Sequence, residues 1–120
     1  MKKPPRISDA EWRIMQVLWA DNPLNATEIK TRSGFHLQTA KTYLTRLVKK
    51  GAIGFKKAGR SYLYHPLFTE ADCQKSASKS FLDRVFGGSL QPMLSHLVED
   101  DALSNQEIAQ LRKILNRTKR

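Results

Sequence analysis

The segment 37–50 carries side chains suited to reading DNA. Its apolar residues fall on one side of a helical wheel: Leu37, Ala40, Leu44, Leu47 and Val48. The opposite side is polar and cationic and holds no carboxylate: Gln38, Thr39, Thr42, Thr45, Arg46 and Lys49. Because Gln pairs with adenine, Arg with guanine, and Thr with a thymine methyl or a phosphate, this face predicts contact with the major groove. The alternative is a solvated face, but such faces usually mix Glu with Lys to form i,i+4 pairs.

Residues outside this face extend the predicted DNA-binding set. Thr27 lies at the N-terminus of the preceding helix, where backbone amides and the helix dipole favour a phosphate. For Asn25, in the same place, capping the helix is the expected role. The remaining cations of the set lie in segment 37–50 and around the tip of a predicted hairpin: Lys41, Lys56, Lys57 and Arg60. We expect the hairpin cations to contact the DNA backbone or the minor groove.

No pattern in the sequence indicates catalysis. A Gly-x-Ser-x-Gly elbow, a His-Glu-x-x-His pair and a phosphate-cradling glycine loop are all absent from it. The three histidines lack the spacing of metal ligands, and Cys73 is the only thiol that could join them. We therefore predict a protein that is not an enzyme and that needs no metal or cofactor. Cys73 is expected to be a passive helix residue, with redox sensing as the alternative.

The charge of the chain is unevenly distributed. The net charge is +10 over 120 residues, but residues 1–67 hold 13 Lys/Arg against 4 Asp/Glu, whereas residues 68–120 hold 8 against 7. A basic half joined to a balanced half predicts a polyanion-binding module followed by an assembly module. The single cysteine, the polar start of the chain and the lack of a membrane-spanning apolar run predict a cytoplasmic protein without a signal peptide.

The elements of the basic half follow from capping and turn signals. Ser8 and Glu11 form a capping box before a largely apolar segment, and Gly34 and Gly51 are helix terminators. We predict three helices here, roughly 8–20, 25–34 and 37–50. Two alternating segments, 53–57 and 61–65, flank Ala58-Gly59-Arg60 and predict a hairpin. Because Tyr62 and Tyr64 alternate with Leu63, at least one of them is expected in the core, and neither is predicted to contact a base.

The remainder of the chain is predicted to be helical and to form a dimer. Three segments carry apolar residues at helical spacing, and short helices that expose so much apolar surface need a partner. The predicted interface residues are Phe81, Leu82, Val85, Phe86, Met93, Leu94, Leu97, Ile108, Leu111, Ile114 and Leu115. The predicted fold is mainly α with a small β-hairpin. It comprises an N-terminal winged helix-turn-helix for DNA binding (1–67) and a C-terminal helical dimerisation module (68–120).

Three stretches of the sequence resemble the penicillinase-repressor family, which includes the BlaI, MecI and CopY types. Residues 10–19 resemble the first helix of that family, 39–51 its recognition helix and 60–67 its wing. They occur in the family's order and spacing, and residues 103–115 also resemble the closing helix of the β-lactam-responsive branch. The resemblance implies a homodimeric repressor that binds a dyad-symmetric operator and blocks transcription.

Two regulatory features of that family can be compared with this sequence. The copper-responsive branch carries paired Cys-x-Cys motifs near its C-terminus, and this sequence has only Cys73. The β-lactam branch is inactivated by proteolysis at an Asn-Phe bond, and the corresponding pair here is His96-Leu97. The resemblance thus implies an inactivating protease as a partner. The changed pair argues against cleavage by the family's receptor protease, and the sequence does not indicate the inducing signal.

Two other classes of function remain open at the level of sequence. A winged helix can act as a protein-interaction adaptor that does not read DNA sites, and the acid-free face of segment 37–50 argues against this. A reader of single-stranded RNA usually offers stacked aromatic residues on a sheet face. The aromatic residues of this sequence are expected mainly in helical core positions.

Overall fold

Six helices and one antiparallel hairpin make up most of residues 2–118, the part of the chain that the computed structural model describes. In chain order these elements are α1 (Asp9–Ala20), α2 (Ala26–Ser33), α3 (Leu37–Lys50), β1 (Ile53–Ala58), β2 (Ser61–Pro66), α4 (Glu70–Phe86), α5 (Leu90–Glu99) and α6 (Asn105–Thr118). The order predicted from the sequence is therefore confirmed.

Reciprocal capping boxes begin the first two helices. The Ser8 amide donates to Glu11 Oε1 (2.8 Å), and the Glu11 amide donates to Ser8 Oγ (3.2 Å). Asn25 and Glu28 make the same pair of bonds at the start of α2, so capping is the observed role of Asn25. Gly51 ends α3 with φ of 83°, a left-handed conformation that costs glycine little.

The first three helices and the hairpin enclose a hydrophobic core. Its fully buried members come from each of these elements and from the loops between them: Ile14, Met15, Leu18, Leu24, Ile29, Ala40, Leu44, Leu47, Ala52 and Ile53. Glu11 is buried beside this core and accepts a hydrogen bond from Lys50 Nζ at 2.5 Å. Lys50 also donates to the Arg6 carbonyl, so the last turn of α3 is attached to the start of α1.

The hairpin is tighter than the sequence predicted. Residues 53–58 pair with 61–66 in register, which leaves Gly59 and Arg60 as a two-residue turn in place of the predicted three-residue turn. Ala58 pairs with Ser61, and Pro66 pairs with Ile53 at the far end. An isolated bridge between Leu24 and Tyr64 joins the hairpin to the loop before α2.

The chain divides into two compact units inside α4, one ending at Ser78 and one beginning at Lys79. The sequence analysis placed the domain boundary after residue 67, so the first unit extends further than expected. Tertiary contacts explain the difference. Trp19 Nε1 donates to the Phe68 carbonyl (2.9 Å), and Cys73 is buried in the first turns of α4. Burial, with a smaller effect of Asp72, raises the pKa of the Cys73 thiol, so this thiol is poorly suited to redox sensing.

The second unit differs from the first in the burial of its side chains. Ser104 and Glu107 form the predicted capping box before α6. None of the side chains that the structure describes between residues 79 and 117 is buried. The predicted dimer residues all lie on its helices, partly exposed: Leu82, Phe86, Met93, Leu94, Ile108 and Leu111 are half-buried, and Phe81, Val85, Leu97, Ile114 and Leu115 are exposed.

Among the described residues, no helix is both long and apolar enough to cross a membrane. The same part of the chain holds no group of three or more His, Cys, Asp or Glu side chains that could bind a metal ion.

Candidate nucleic-acid interface

The outer face of α3 is formed by the residues predicted to read DNA. Ala40, Leu44 and Leu47 are buried and fix the helix against the core. The outer face (Gln38, Thr39, Lys41, Thr42, Thr45, Arg46 and Lys49) is exposed except for Thr39, which is half-buried. The hydroxyls of Thr42 and Thr45 donate to carbonyls one turn earlier, at 3.0 and 2.9 Å. Their methyl groups and oxygen lone pairs remain available for contacts with a ligand.

Arg46 lies at one edge of this face, over an aromatic ring. Its guanidinium carbon is 5.7 Å from the centre of the Tyr43 ring, and Tyr43 packs against Phe35 with ring centres 5.3 Å apart. The Arg13 guanidinium covers Phe35 (4.1 Å) and donates to the Ser33 carbonyl. Cation–π contacts of this kind restrict a guanidinium that would otherwise sample many rotamers. The rings of Tyr43 and Phe35 therefore support Arg46 at the edge of the outer face of α3.

The opposite edge of α3 borders an open cleft of about 470 Å³. Its lining brings together four of the predicted DNA-binding residues, one from α2, two from α3 and one from the hairpin turn: Thr27, Lys41, Thr45 and Arg60. Leu37 also lines the cleft and is exposed, although the helical wheel placed it on the core side. As the first residue of α3, Leu37 lies beyond the point where the core covers the helix.

The two lysines of the hairpin lie on opposite faces of the sheet. Lys57 is directly opposite Tyr62 in the β1–β2 register, whereas Lys56 is opposite Leu63. Because paired residues share a face and successive residues alternate, Lys57 shares its face with Tyr62. The structure does not place Lys56 and Lys57 together, although the sequence analysis treated them as one group.

Tyr62 is a candidate residue that the sequence analysis left out. It is 46% exposed and lines the cleft with Lys41 and Arg60. Tyr64, on the same face, is half-buried against the core, and burial raises the pKa of its phenol. The alternation of side chains along β2 could have identified Tyr62. If Tyr64 lies in the core, Tyr62 must lie on the same face and nearer the hairpin tip.

Electrostatics favour an anion at this surface. The acidic groups of the first unit that carry ion pairs lie elsewhere: Glu11 is paired with Lys50, and Asp21 with Arg32 at 2.8 Å. Within residues 2–118, none of the cations on the outer face of α3 or on the hairpin forms an ion pair. Cations without acidic partners next to small polar groups make up a surface for a polyanion.

Comparison with known proteins assigns the family. The model of the penicillinase repressor family matches residues 7–117. The chain belongs to this family. The penicillinase repressor of Bacillus licheniformis is 40% identical, over 99% of this chain and 96% of the relative. The methicillin resistance regulatory protein MecI of Staphylococcus aureus (strain N315) is 35% identical, over 96% of this chain and 97% of the relative.

Solved structures also support membership of the penicillinase repressor family. The DNA-binding domain of the repressor BlaI is 41% identical over 60% of this chain and 93% of that domain, with a TM-score of 0.52. The monomeric form of Bacillus licheniformis BlaI in complex with the blaP half-operator matches equally well, with a TM-score of 0.51. A probable transcriptional regulator from Pseudomonas aeruginosa (21% identity, 92% of this chain, 77% of that chain, TM-score 0.53) supports the fold alone.

These matches confirm several predictions made from the sequence. The chain is a winged-helix transcriptional repressor of the penicillinase repressor family and not an enzyme. The residues that contact DNA, the oligomeric state and the mode of inactivation are considered below as proposals.

Proposed function

We propose that this chain represses transcription as a homodimer on a dyad-symmetric operator, with α3 of each subunit in the major groove. The observation that supports it best is the exposed outer face of α3, which is cationic and acid-free. The chain is also similar to a relative solved on a half-operator. In this proposal Gln38, Thr42 and Thr45 meet base edges at the centre of the face. The cations Lys41, Arg46 and Lys49 lie around them, with Arg46 contacting a guanine.

Phosphate contacts would position α3 in the groove. Thr27 at the start of α2 and Arg60 in the hairpin turn border the cleft beside Lys41 and Thr45. Backbone amides at a helix N-terminus attract phosphate, and an arginine can bind it bidentately. Such contacts would fix the register of the protein on the duplex while the outer face of α3 supplies specificity. Operator binding would place the working protein beside the chromosome in the cytoplasm.

The second unit supplies the proposed dimer contact. Between residues 79 and 117 no described side chain is buried, although large apolar side chains are frequent. A second copy of the same helices would cover them, and a dimer with two-fold symmetry matches an operator with two half-sites. The second compact unit begins at Lys79. We therefore propose that the dimerisation module begins there, and not at residue 68 as the sequence analysis predicted.

One experiment tests this function directly. The purified protein is incubated with sheared DNA from its own genome at physiological salt, and the retained fragments are sequenced. Enrichment of a short inverted repeat is expected, with half-sites about one helical turn (~10 bp) or a multiple apart. Retention of fragments without any shared motif would contradict the proposal and favour the adaptor, which binds DNA only through charge.

Inactivation by proteolysis would have to act on a helix. His96 and Leu97 are exposed in α5, but their carbonyls accept hydrogen bonds from the amides of Asp100 (3.1 Å) and Ala102 (2.9 Å). Because a helical backbone keeps its peptide groups hydrogen-bonded, cleavage of this bond would require the end of α5 to open. Mass spectrometry of the tagged chain, recovered from cells exposed to a β-lactam, tests this bond, because cleavage there would give a new C-terminus at His96. An intact chain in cells exposed to the β-lactam would show that this bond is not the site of inactivation.

A further inference from the structure

We propose that the hairpin face carrying Lys57 and Tyr62 is the one that lies on the DNA backbone, and that Lys56 faces away from the duplex. The inference rests on the proposed function and assigns the contact to particular residues. It adds Tyr62 to the DNA-binding surface and removes Lys56, which the sequence analysis had included.

The register of the hairpin separates the two lysines. Lys57 pairs with Tyr62 and Lys56 pairs with Leu63, so the side chains of adjacent lysines project from opposite sides of the sheet. The same alternation places Phe55 on the face of Lys57, and its ring centre lies 5.0 Å from that of Tyr62 in an edge-to-face arrangement. Both lysines are exposed and lie near the hairpin tip, so burial does not distinguish them.

The cleft determines which face continues the DNA-reading surface. Tyr62 lines the cleft together with Lys41 and Thr45 of α3 and with Arg60 of the turn. A duplex that follows the outer face of α3 across this cleft therefore meets Tyr62 and its neighbour Lys57. Phe55 holds the Tyr62 ring in place, so its hydroxyl can bind a phosphate with little loss of side-chain freedom.

The other face of the hairpin carries Lys56, Leu63 and His65. The His65 ring covers Gly54 so closely that a Cβ at Gly54 would lie 2.9 Å from Nε2. The strand residues that alternate toward the cleft are Tyr62 and Tyr64, and Leu63 and His65 are absent from its lining. Neither lysine lines the cleft, so Lys57 is assigned to this side by its pairing with Tyr62.

Matched lysine variants test the proposal. Binding of Lys57→Ala and of Lys56→Ala is measured by fluorescence anisotropy over a series of salt concentrations. Two duplexes of equal length are used, one carrying the inverted repeat from the genomic selection and one of random sequence. Lys57→Ala is expected to weaken binding to both duplexes and to reduce the slope of log K against log salt by about one unit. Lys56→Ala is expected to leave the slope unchanged. Thermal melting checks that both variants fold.

Tyr62→Phe tests the second half of the proposal. It keeps the contact with Phe55 but loses the hydroxyl, and we expect about tenfold weaker binding, since a hydrogen bond to a charged group is lost. Equal slopes for the two lysine variants, or full affinity of Tyr62→Phe, would overturn the assignment. If the wild type shows no preference for the inverted repeat, the proposed function fails, but the difference between Lys56 and Lys57 can still be measured on the random duplex.

Discussion

The two compact units of the chain differ in how far they bury their apolar side chains. Up to Ser78, three helices and a hairpin bury a continuous core and leave polar, cationic residues on the outer face of α3. From Lys79 onward, the described residues include none that is buried, although each helix carries large apolar side chains. Apolar surface of that extent is a feature of interaction sites. The first unit therefore has the contacts it needs to fold, whereas the second unit needs further surface to cover it.

The largest expected effect would be seen in the core of the first unit. Leu18 is fully buried, so Leu18→Ala should lower the free energy of unfolding by about 2–5 kcal/mol. Leu90→Ala in α5 is the matched change in the second unit, where the side chain is 42% exposed. At concentrations where the chain is monomeric it should cost less than about 0.5 kcal/mol. Denaturant unfolding measures both, and similar losses would contradict the contrast between the units.

Dimer formation should depend on the second unit alone. Leu111→Asp would place an unpaired charge in the proposed interface and should raise the dimer dissociation constant by about a hundredfold or more. Ala109→Asp on the same helix, at an exposed position, is the control. Sedimentation velocity measures the dimer, and the melting of the first unit should not change. An intact Leu111→Asp dimer would show that α6 does not mediate assembly.

The buried carboxylate of the first unit should make its stability depend on pH. Burial raises the pKa of Glu11, but hydrogen bonds from Lys50 and Ser8 outweigh it and hold the pKa below its ordinary value of 4.5. Folding therefore favours the ionised form. This stabilisation is complete above pH 4.5 and is lost as the pH falls through the lower folded pKa.

Glu11→Gln is expected to cost about 1–3 kcal/mol at neutral pH and to flatten this acid dependence. Urea unfolding between neutral pH and pH 3 would measure both effects. Glu28→Gln, the equivalent change in the exposed capping box of α2, should have a much smaller effect. An unchanged acid profile in Glu11→Gln would show that another group controls the loss.

The smallest expected effect lies on the surface of the first unit. Tyr43→Leu removes the ring beneath Arg46 and should weaken operator binding by a factor of about two to five, the value of an exposed cation–π contact. Tyr43→Phe keeps the ring and serves as the control. A double-mutant cycle with Arg46→Ala measures the coupling on the selected duplex. Additive losses would show that Tyr43 does not position Arg46.

Local signals predicted most of the elements. Ser8, Asn25 and Ser104 cap helices through bonds to residues three positions later, and such bonds depend only on neighbouring residues. The outer face of α3 was predictable because a helical period of 3.6 sorts its residues into two sides. Gly51 marked the end of that helix for the same local reason.

Features set by tertiary contacts were not predictable from the sequence. The first unit extends past residue 67 because the Phe68 carbonyl accepts from Trp19, a partner 49 positions away. Strand alternation alone places Lys56 and Lys57 on opposite faces, but which of the two faces meets the cleft depends on tertiary packing. By contrast, the contact between Arg46 and Tyr43 joins residues three positions apart on α3, so helical spacing alone could have indicated it.

Lys49 and Lys50 are neighbours in the sequence with unrelated roles. Lys49 belongs to the outer face of α3, whereas Lys50 binds Glu11 and the Arg6 carbonyl. A genetic screen for lost repression would recover substitutions at both positions and assign them the same phenotype. Lowering the growth temperature should separate them, because a folding defect at Lys50 would be relieved in the cold and the loss of the proposed DNA contact of Lys49 would not. The two lysines thus show how a single class of mutant can combine defects in folding with defects in recognition.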